Sequence, residues 1–495
     1  MATRSEIARY CSEQFMGSLA VYEESYAEAG GAGFVMASTN GAVKTPGAVK
    51  TTGADILVVC GDPSVTRAFE GEIHGKLKLC PPTHENRLAL NGFLPFTNPS
   101  SAGKRDISFG FGDRLGIANS AHLKAIGQAE IFPVLAQQSM RELTLMKRGY
   151  KDVLDAAAWA VFKRGWTKGF GADGDHLKSK GDIKAALDYG FSMITLDCSE
   201  ALRKAPGSYD ELAREYNQIP EAARGGYEDR YLGKSPLPGV DFTKESLMAF
   251  AVVYGLAIDF AQDVYESLIK PCGRPIDFEI SIDETSDTTE LAAHYFVAAE
   301  LIRRGVNVTS LAPRFIGEFQ KGIDYIGDTE AFSENLKAHN EIAKQFGYRI
   351  SVHSASDKFK VFPSVFRETE GRFHIKTSGT SWLEAVRTIA RKEPSLYRRM
   401  HDCALKHIDD AKLFYVVHCD ISQIPPLDTV TDAMLPEYLE KDDSRQLMHI
   451  TYGFLFEDPA LKNDVLSALS THIADYESAI TAHMRKHFTL LGRTI

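Results

Sequence analysis

The sequence predicts an α/β protein built on a TIM-type (β/α)8 barrel, with an N-terminal extension and helical insertions. Four segments read as strand ends that deliver polar or metal-capable groups: GADGDHLK at 171–178, DFEISIDET at 277–285, RISVHS at 349–354 and FYVVHCD at 414–420. Barrel enzymes collect their active-site residues in this way, one or two from the C-terminal end of each strand. From about residue 150 onward, helical periodicity alternates with short β-branched runs, and a glycine repeatedly closes the helix before the next strand. A chain of 495 residues also has room for such a barrel, which takes about 250 residues, and for additional elements around it.

The elements follow in order. The first part of the chain has a different texture: GGAGFV, a Thr/Gly/Val-rich tract from Ser38 to Gly53 that reads as a loop, and then the strand-like ADILVVCG. Residues 1–150 are expected to form an extension that packs on the barrel and contributes a substrate loop. Residues 151–428 are expected to form the barrel. Its strands are expected before Asp175, at Met193 to Asp197, Asp277 to Ile282, Val306 to Leu311, Arg349 to His353, Phe373 to Thr377 and Leu413 to His418, with an eighth hidden in less regular sequence. Asp182 to Asp188 with Gly190, and Asn335 to Gln345 with Gly347, read as helices stopped by glycine. Asp287 with Glu290 reads as a capping pair for the helix LAAHYFVAAELIRR. The interval 199–270 is too long for one crossover and reads as a helical insertion; residues 429–495 read as a C-terminal helical segment.

Apolar residues make up 44% of the chain and charged residues 25%, which suits a large buried core. The net charge of −10 argues against nucleic acid as a partner but is compatible with a small anionic substrate held by a few arginines. Seven scattered cysteines without a CxxC pair argue for reduced thiols and against a cysteine zinc site. The N-terminus lacks the apolar core of a signal peptide, and the apolar stretch Met248 to Ile258 is too short for a membrane span and reads as a buried helix. The expected location is the cytoplasm, with no membrane partner. A homo-oligomer is compatible with the sequence.

Asp175 and His176 stand side by side in GADGDHLK, an acid and an imidazole at a strand end. His353 and His418 each end an apolar run, so that with His176 they form a candidate three-nitrogen site for Zn, Mn, Ni or Co. Any one of them alone reads equally as a hydrogen-bonded structural histidine. Asp197, Glu318 and Asp420 are carboxylates that could take one position. Glu279 alternates with Asp277, Ser281 and Asp283 on the face expected to line the barrel, where burial would raise its pKa into the range of a general acid; a salt bridge to a basic residue is the competing reading. Arg114, framed by glycines 112 and 116, and Arg314, after SLAP, suit a carboxylate; Thr377 and Ser378 bring hydroxyls to a strand-to-helix junction.

The GDRLG segment with His122, GADGDHLK and the Glu279 strand together resemble the tagaturonate epimerase family of bacterial hexuronate catabolism, over most of the chain. Ser120 and Ala121 stand where a Pro-Gly pair is expected. The Asp-His motif is also similar to the tagatose-bisphosphate aldolase barrel group. The resemblance implies a metal-dependent interconversion of D-tagaturonate and D-fructuronate at ketose C4. That carbon is not acidified by the ketone, so the implied route is retro-aldol cleavage of C3–C4, rotation of the aldehyde and re-formation of the bond, with the metal holding the enediolate. Resemblance and position together make Asp175 the proton acceptor and Glu279 the donor, His176, His353 and His418 the metal ligands, and Arg114, Arg314, Thr377 and Ser378 the substrate contacts. A metal-dependent ketose (bisphosphate) aldolase or isomerase, and a noncatalytic barrel subunit of an aldolase, are the alternatives.

Overall fold

The structure is a computed structural model that describes residues 19–39, 54–283 and 287–493. Most of the tract 38–53 therefore lies outside the described residues.

The N-terminal extension is a five-stranded antiparallel sheet, β1 (Leu19–Ala29), β2 (Ala32–Thr39), β3 (Asp55–Gly61), β4 (Glu72–His74) and β5 (Leu77–Cys80), in the order β1-β2-β3-β5-β4. Gly30 and Gly31 connect β1 to β2 with φ of 59° and 84°, values that glycine adopts without a Cβ penalty and that suit a two-residue hairpin. One face of the sheet buries Phe34, Met36, Leu57 and Val59 against Trp159 and Phe162 of the helix Tyr150–Lys163, which fixes the extension to the outside of the barrel.

Eight parallel strands close the barrel: β6 (Ile107–Gly110), β7 (Phe132–Ser139), β8 (Gly171–Leu177), β9 (Met193–Asp197), β10 (Asp277–Ser281), β11 (Ser310–Ala312), β12 (Arg349–Val352) and β13 (Phe373–Lys376), with β13 pairing back onto β6. The barrel thus begins at Ile107, and the expected boundary at residue 150 falls after its second strand. Leu413 to His418, expected as a barrel strand, is an irregular segment across the barrel mouth; β6 and β7 supply the missing positions instead. Its apolar side chains Leu413 and Val416 are 83% and 89% exposed, whereas a barrel strand would bury them.

The helices follow the sequence signals closely. Ser179 caps Lys180–Tyr189, which Gly190 ends at φ 101°, and Gly347 ends Thr329–Phe346 at φ 82°. The capping pair does not form as expected: the helix Leu291–Arg303 has Glu290 at its N-cap and no side-chain cap bond. The 199–270 interval folds as helices Tyr209–Gln218, Glu221–Tyr231 and Lys244–Val264. The last contains the apolar stretch 248–258; it is long and apolar enough to cross a membrane, but half of its most apolar window is buried in the protein, as a core helix requires. Helices from Thr380 to Leu490 complete the chain.

Candidate active site

β10 shows how the sequence builds the site, because its inward-facing acids occupy three levels of the barrel. At the bottom, Asp277 accepts from Ser101 Oγ (2.7 Å) and from the backbone N–H groups of Ala102 and Gly103, closing that end. Glu279 is fully buried at mid-height, and Asp283 reaches the mouth. β8 does the same with Asp173 and Asp175, and then the chain turns: His176 has φ 54°, a left-handed conformation that costs a non-glycine residue about 1 kcal/mol or more. This turn brings Asp175 and its neighbour His176 to the same cavity, which a regular strand could not do.

The organising cation is Lys376, at the end of β13. Its Nζ donates to Asp173 Oδ2 (2.6 Å), Asp175 Oδ1 (2.7 Å) and Thr195 Oγ1, and lies 3.1 Å from Glu279 Oε1. His353, from the end of β12, bridges two acids: its Nε2 is 2.8 Å from Glu279 Oε1 and its Nδ1 is 3.2 Å from Asp283 Oδ2. His176 lies against it, ring centroids 5.0 Å apart, with its Nε2 3.8 Å from Asp175 and its Nδ1 3.6 Å from Asp197.

Burial opposes ionisation of each of these groups, and the charge partners decide the outcome. Burial disfavours the charged form of Asp175, yet Lys376 and His176 hold its carboxyl below the usual range. Glu279 is likewise held well below its usual range, against burial, by Lys376 and His353. The expectation of a raised Glu279 pKa is therefore overturned; the basic partner prevails. Asp173 is the exception: burial, reinforced by Asp175 and Glu279 and opposed by Lys376, lifts it to about 6. Against burial, Asp283 and Glu279 push His353 up to about 10.

These groups form the floor of a cavity of about 580 Å³ at the barrel mouth. Asp175, His176, Asp283, His353 and Lys376 line it, together with Arg314, Thr377, Ser378 and His418. Glu279 does not; it lies beneath, behind Lys376 and His353, so direct contact with a substrate is ruled out in this arrangement. Thr377 commits its hydroxyl to Gly110 O (2.8 Å). The loop at 377–378 packs so closely on the GDRLG segment that a Cβ at Gly112 would stand 2.4 Å from Ser378 O, which explains the glycine there.

Two expected site residues do not take their expected places: Arg114 lies outside the cavity and His418 only at its rim. Arg114 is 1% exposed, pairs with Glu142 (2.9 Å), donates to His449 O (3.0 Å) and stacks on Tyr452 at 3.8 Å. It is a structural tie between the barrel mouth and the C-terminal helices. Asp113 beside it accepts four backbone N–H bonds, from residues 116 to 119, and shapes the loop. His418 has a side chain 65% exposed at the rim, next to Gln320 and Glu318, because the segment that carries it is not a strand. The structure thus brings together two of the three proposed imidazoles, His176 and His353. Of the carboxylates considered in place of the third, Asp420 is turned to its own loop at Ser422, and Asp197 lies below the cavity beside His176.

The donor set at the mouth fits a divalent cation. Asp173, Asp175 and Glu279 share the ammonium of Lys376, Asp197 has Lys178 at 3.5 Å, and Asp283 has the His353 imidazole, so the acids outnumber the two lysines. His353 Nδ1 and Asp283 Oδ2 are separated by the roughly 3 Å that two ligands of one ion would have, and both face the cavity with His176. A second metal-capable group, Asp357, His483 and His487, has its ligand atoms within 4.8 Å of one another, away from the cavity. There Arg445 already neutralises Asp357 at 2.6 Å, and His487 Nε2 accepts the Asp357 N–H, so those lone pairs are engaged in pinning the last helix to the loop after β12.

Sequence reasoning missed Lys376, although it lies inside the expected strand Phe373 to Thr377. A basic residue at a strand end was the available signal, but its three acids come from β8 and β10, far away in sequence.

Comparison with known proteins places the chain. The family model for tagaturonate epimerase matches residues 22–491. A tagaturonate/fructuronate epimerase of Thermotoga maritima is 38% identical over 498 residues, covering 98% of this chain and 99% of the relative. Crystal structures of a fructuronate-tagaturonate epimerase from Cohnella laeviribosi, native and with glycerol, superimpose with a TM-score of 0.92 at 45% identity, over 99% of this chain and 100% of theirs. A match along nearly the whole chain, in sequence and in fold, establishes that the chain belongs to the tagaturonate epimerase family.

Proposed function

We propose that this protein interconverts D-tagaturonate and D-fructuronate by inverting ketose C4 through retro-aldol cleavage, in cytoplasmic hexuronate catabolism. The observation that carries the mechanism is the pairing, on one cavity floor, of an ionised Asp175 with the cationic Lys376. Inversion at C4 requires a base for the C4 hydroxyl, because the C4 hydrogen itself is not acidified by the ketone. Asp175 accepts that hydroxyl proton, and its cost is reduced because Lys376 remains neutralised by Asp173 and Glu279. The C3–C4 bond then breaks into a three-carbon enediolate and a three-carbon aldehyde acid. The aldehyde turns over within the cavity, and the bond re-forms on its other face.

Glu279, held ionised beneath the floor and out of reach of the substrate, does not itself donate; it positions Lys376 and His353, which face the cavity on the donor side of the reaction. Its contacts with Lys376 and His353 link it to the groups that do face the substrate. His176, His353 and Asp283 are the residues that would hold a divalent cation, with Asp283 in the place first given to His418. When bound, such an ion supplies Lewis-acid stabilisation to the oxygens on which negative charge develops. Arg314, Thr377 and Ser378 contribute contacts to the anionic sugar acid along the cavity wall.

The test is incubation with D-tagaturonate followed by resolution of the products. Fructuronate formation that is lost in Asp175→Asn, with folding retained, is the expected result; accumulation of three-carbon products would favour an aldolase, and near-normal turnover by the variant would remove Asp175 from its role.

A further inference from the structure

The wall of the cavity carries a cation that the site described above does not use. Lys321 lies in the irregular segment after β11, half-buried, and lines the cavity. Among the described residues, the hydrogen bond of its Nζ goes to a neutral group, Ser354 Oγ at 3.1 Å. Arg114, Lys376 and Arg445 near the mouth each have an acid, respectively Glu142, three carboxylates and Asp357, and the buried Lys358 is taken up by three backbone carbonyls.

The backbone that presents Lys321 is held on both sides. Lys358 Nζ donates to the carbonyls of Gln320 (2.8 Å) and Ile323 (2.5 Å), Arg445 Nε donates to Gly322 O (2.6 Å), and Gln446 donates to Lys321 O (3.3 Å). Ser354, the hydroxyl partner, follows His353 directly and takes a left-handed φ of 49°, so the ammonium is fixed within one residue of the reaction floor. Burial lowers the Lys321 pKa and Arg141 lowers it further, opposed by Glu142, with Arg114 and Asp175 acting more weakly in opposite directions. A partly desolvated ammonium among other cations, fixed at a cavity wall and bonded to a hydroxyl, is set up to receive an anion.

We propose that Lys321 takes the C6 carboxylate of the sugar-acid substrate and thereby sets the preference for hexuronates over neutral ketoses. The inference rests on the reading of the cavity as a keto-hexuronate site. An ammonium on the wall and the acids on the floor orient the sugar in the cavity, with its carboxylate at Lys321 and C4 toward Asp175.

The experiment measures Kd by titration calorimetry for D-tagaturonate and for D-tagatose, which carries CH2OH in place of the carboxylate, on wild type, Lys321→Met and Lys321→Arg. The expected result is a loss of about 30-fold or more in tagaturonate affinity for Lys321→Met, the loss of a charge-assisted hydrogen bond. Lys321→Arg should recover part of that loss, and tagatose affinity should stay within about 3-fold throughout. Unchanged tagaturonate binding by Lys321→Met, or an equal loss for both sugars, would overturn the proposal. Failure of the wild type to turn over bound tagaturonate would instead count against the proposed reaction, since the charge discrimination is read from binding alone.

Discussion

Replacing Lys376 with methionine removes the ammonium that three buried carboxylates share while keeping most of the volume. Lys376 is 4% exposed, with acid oxygens at 2.6, 2.7 and 3.1 Å. Removing one partner of a buried ion pair costs about 3–5 kcal/mol, and here the loss strands several charges at once. The magnitude also depends on pH with a definite sign. In the wild type, Asp175 and Glu279 have depressed pKa values, so their contribution is present above the usual carboxylate range and is lost as pH falls through their folded values. In the variant the same carboxylates lack their cation and their pKa values rise, so protonation relieves the strain. The gap between wild type and variant should therefore narrow from pH 7 to pH 5. Urea unfolding followed by tryptophan fluorescence reports the change through Trp382, which is buried. Asp173→Asn added to Lys376→Met should recover at least about 1 kcal/mol, as coupled neighbours do. A single-variant loss below about 1 kcal/mol, or no recovery in the double variant, would refute the account of this network.

Three further outcomes are expected. Arg114→Met should lower the urea midpoint by the equivalent of about 3–5 kcal/mol, through the stranded Glu142, while the KM of the folded enzyme changes less than about 3-fold; a large KM effect would return Arg114 to the substrate site. Burial lowers the His122 pKa to about 4, so the unfolded chain takes up a proton below about 6.5 that the folded chain refuses. Stability is then lost as pH falls from about 6.5 to about 4, up to about 3 kcal/mol from this group, and His122→Gln should show a shallower acid limb in midpoints measured across that window; an unchanged limb would contradict it. Chelation should abolish turnover, with recovery on adding Mn, Co, Ni or Zn, and metal analysis should show loss of bound ion in His176→Ala/His353→Ala but retention in His418→Ala and His483→Ala; the reverse pattern would move the metal to the Asp357 cluster.

Much of the barrel was legible because β9, β10, β12 and β13 carry strong local signals: an apolar run, a polar residue at or just past its C-terminal end and a glycine stop before it; β11, expected at Val306 to Leu311, spans only Ser310–Ala312. β6 and β7 were not legible. ISFG is only four residues long, and FPVLAQQS carries Pro133, whose missing N–H argues against an interior strand. FYVV misled for the opposite reason, since an apolar run that crosses a cavity mouth has the composition of a strand. Tyr415 is buried there while Val416 is exposed, and Arg141 holds the Phe414 carbonyl at 2.7 Å. Asp175, His176 and His353 were readable as strand-end groups facing one cavity. What local sequence could not supply was the pairing: that Lys376 would hold Glu279 ionised, that Arg114 would be occupied by Glu142, and that Lys321 would face the cavity with a hydroxyl for its partner. Each depends on segments joined only by the closed barrel and the helices behind it.

The central claim is that C4 is inverted by breaking C3–C4 and not the C4–H bond. Running the reaction in D2O to partial conversion and measuring deuterium at C4 of the fructuronate product by NMR tests it most directly. Retro-aldol chemistry carries the original C4 hydrogen through the aldehyde, so the account predicts C4 without deuterium. Full deuteration at C4 would contradict it, because Asp175 would then be drawing its proton from carbon instead of the hydroxyl.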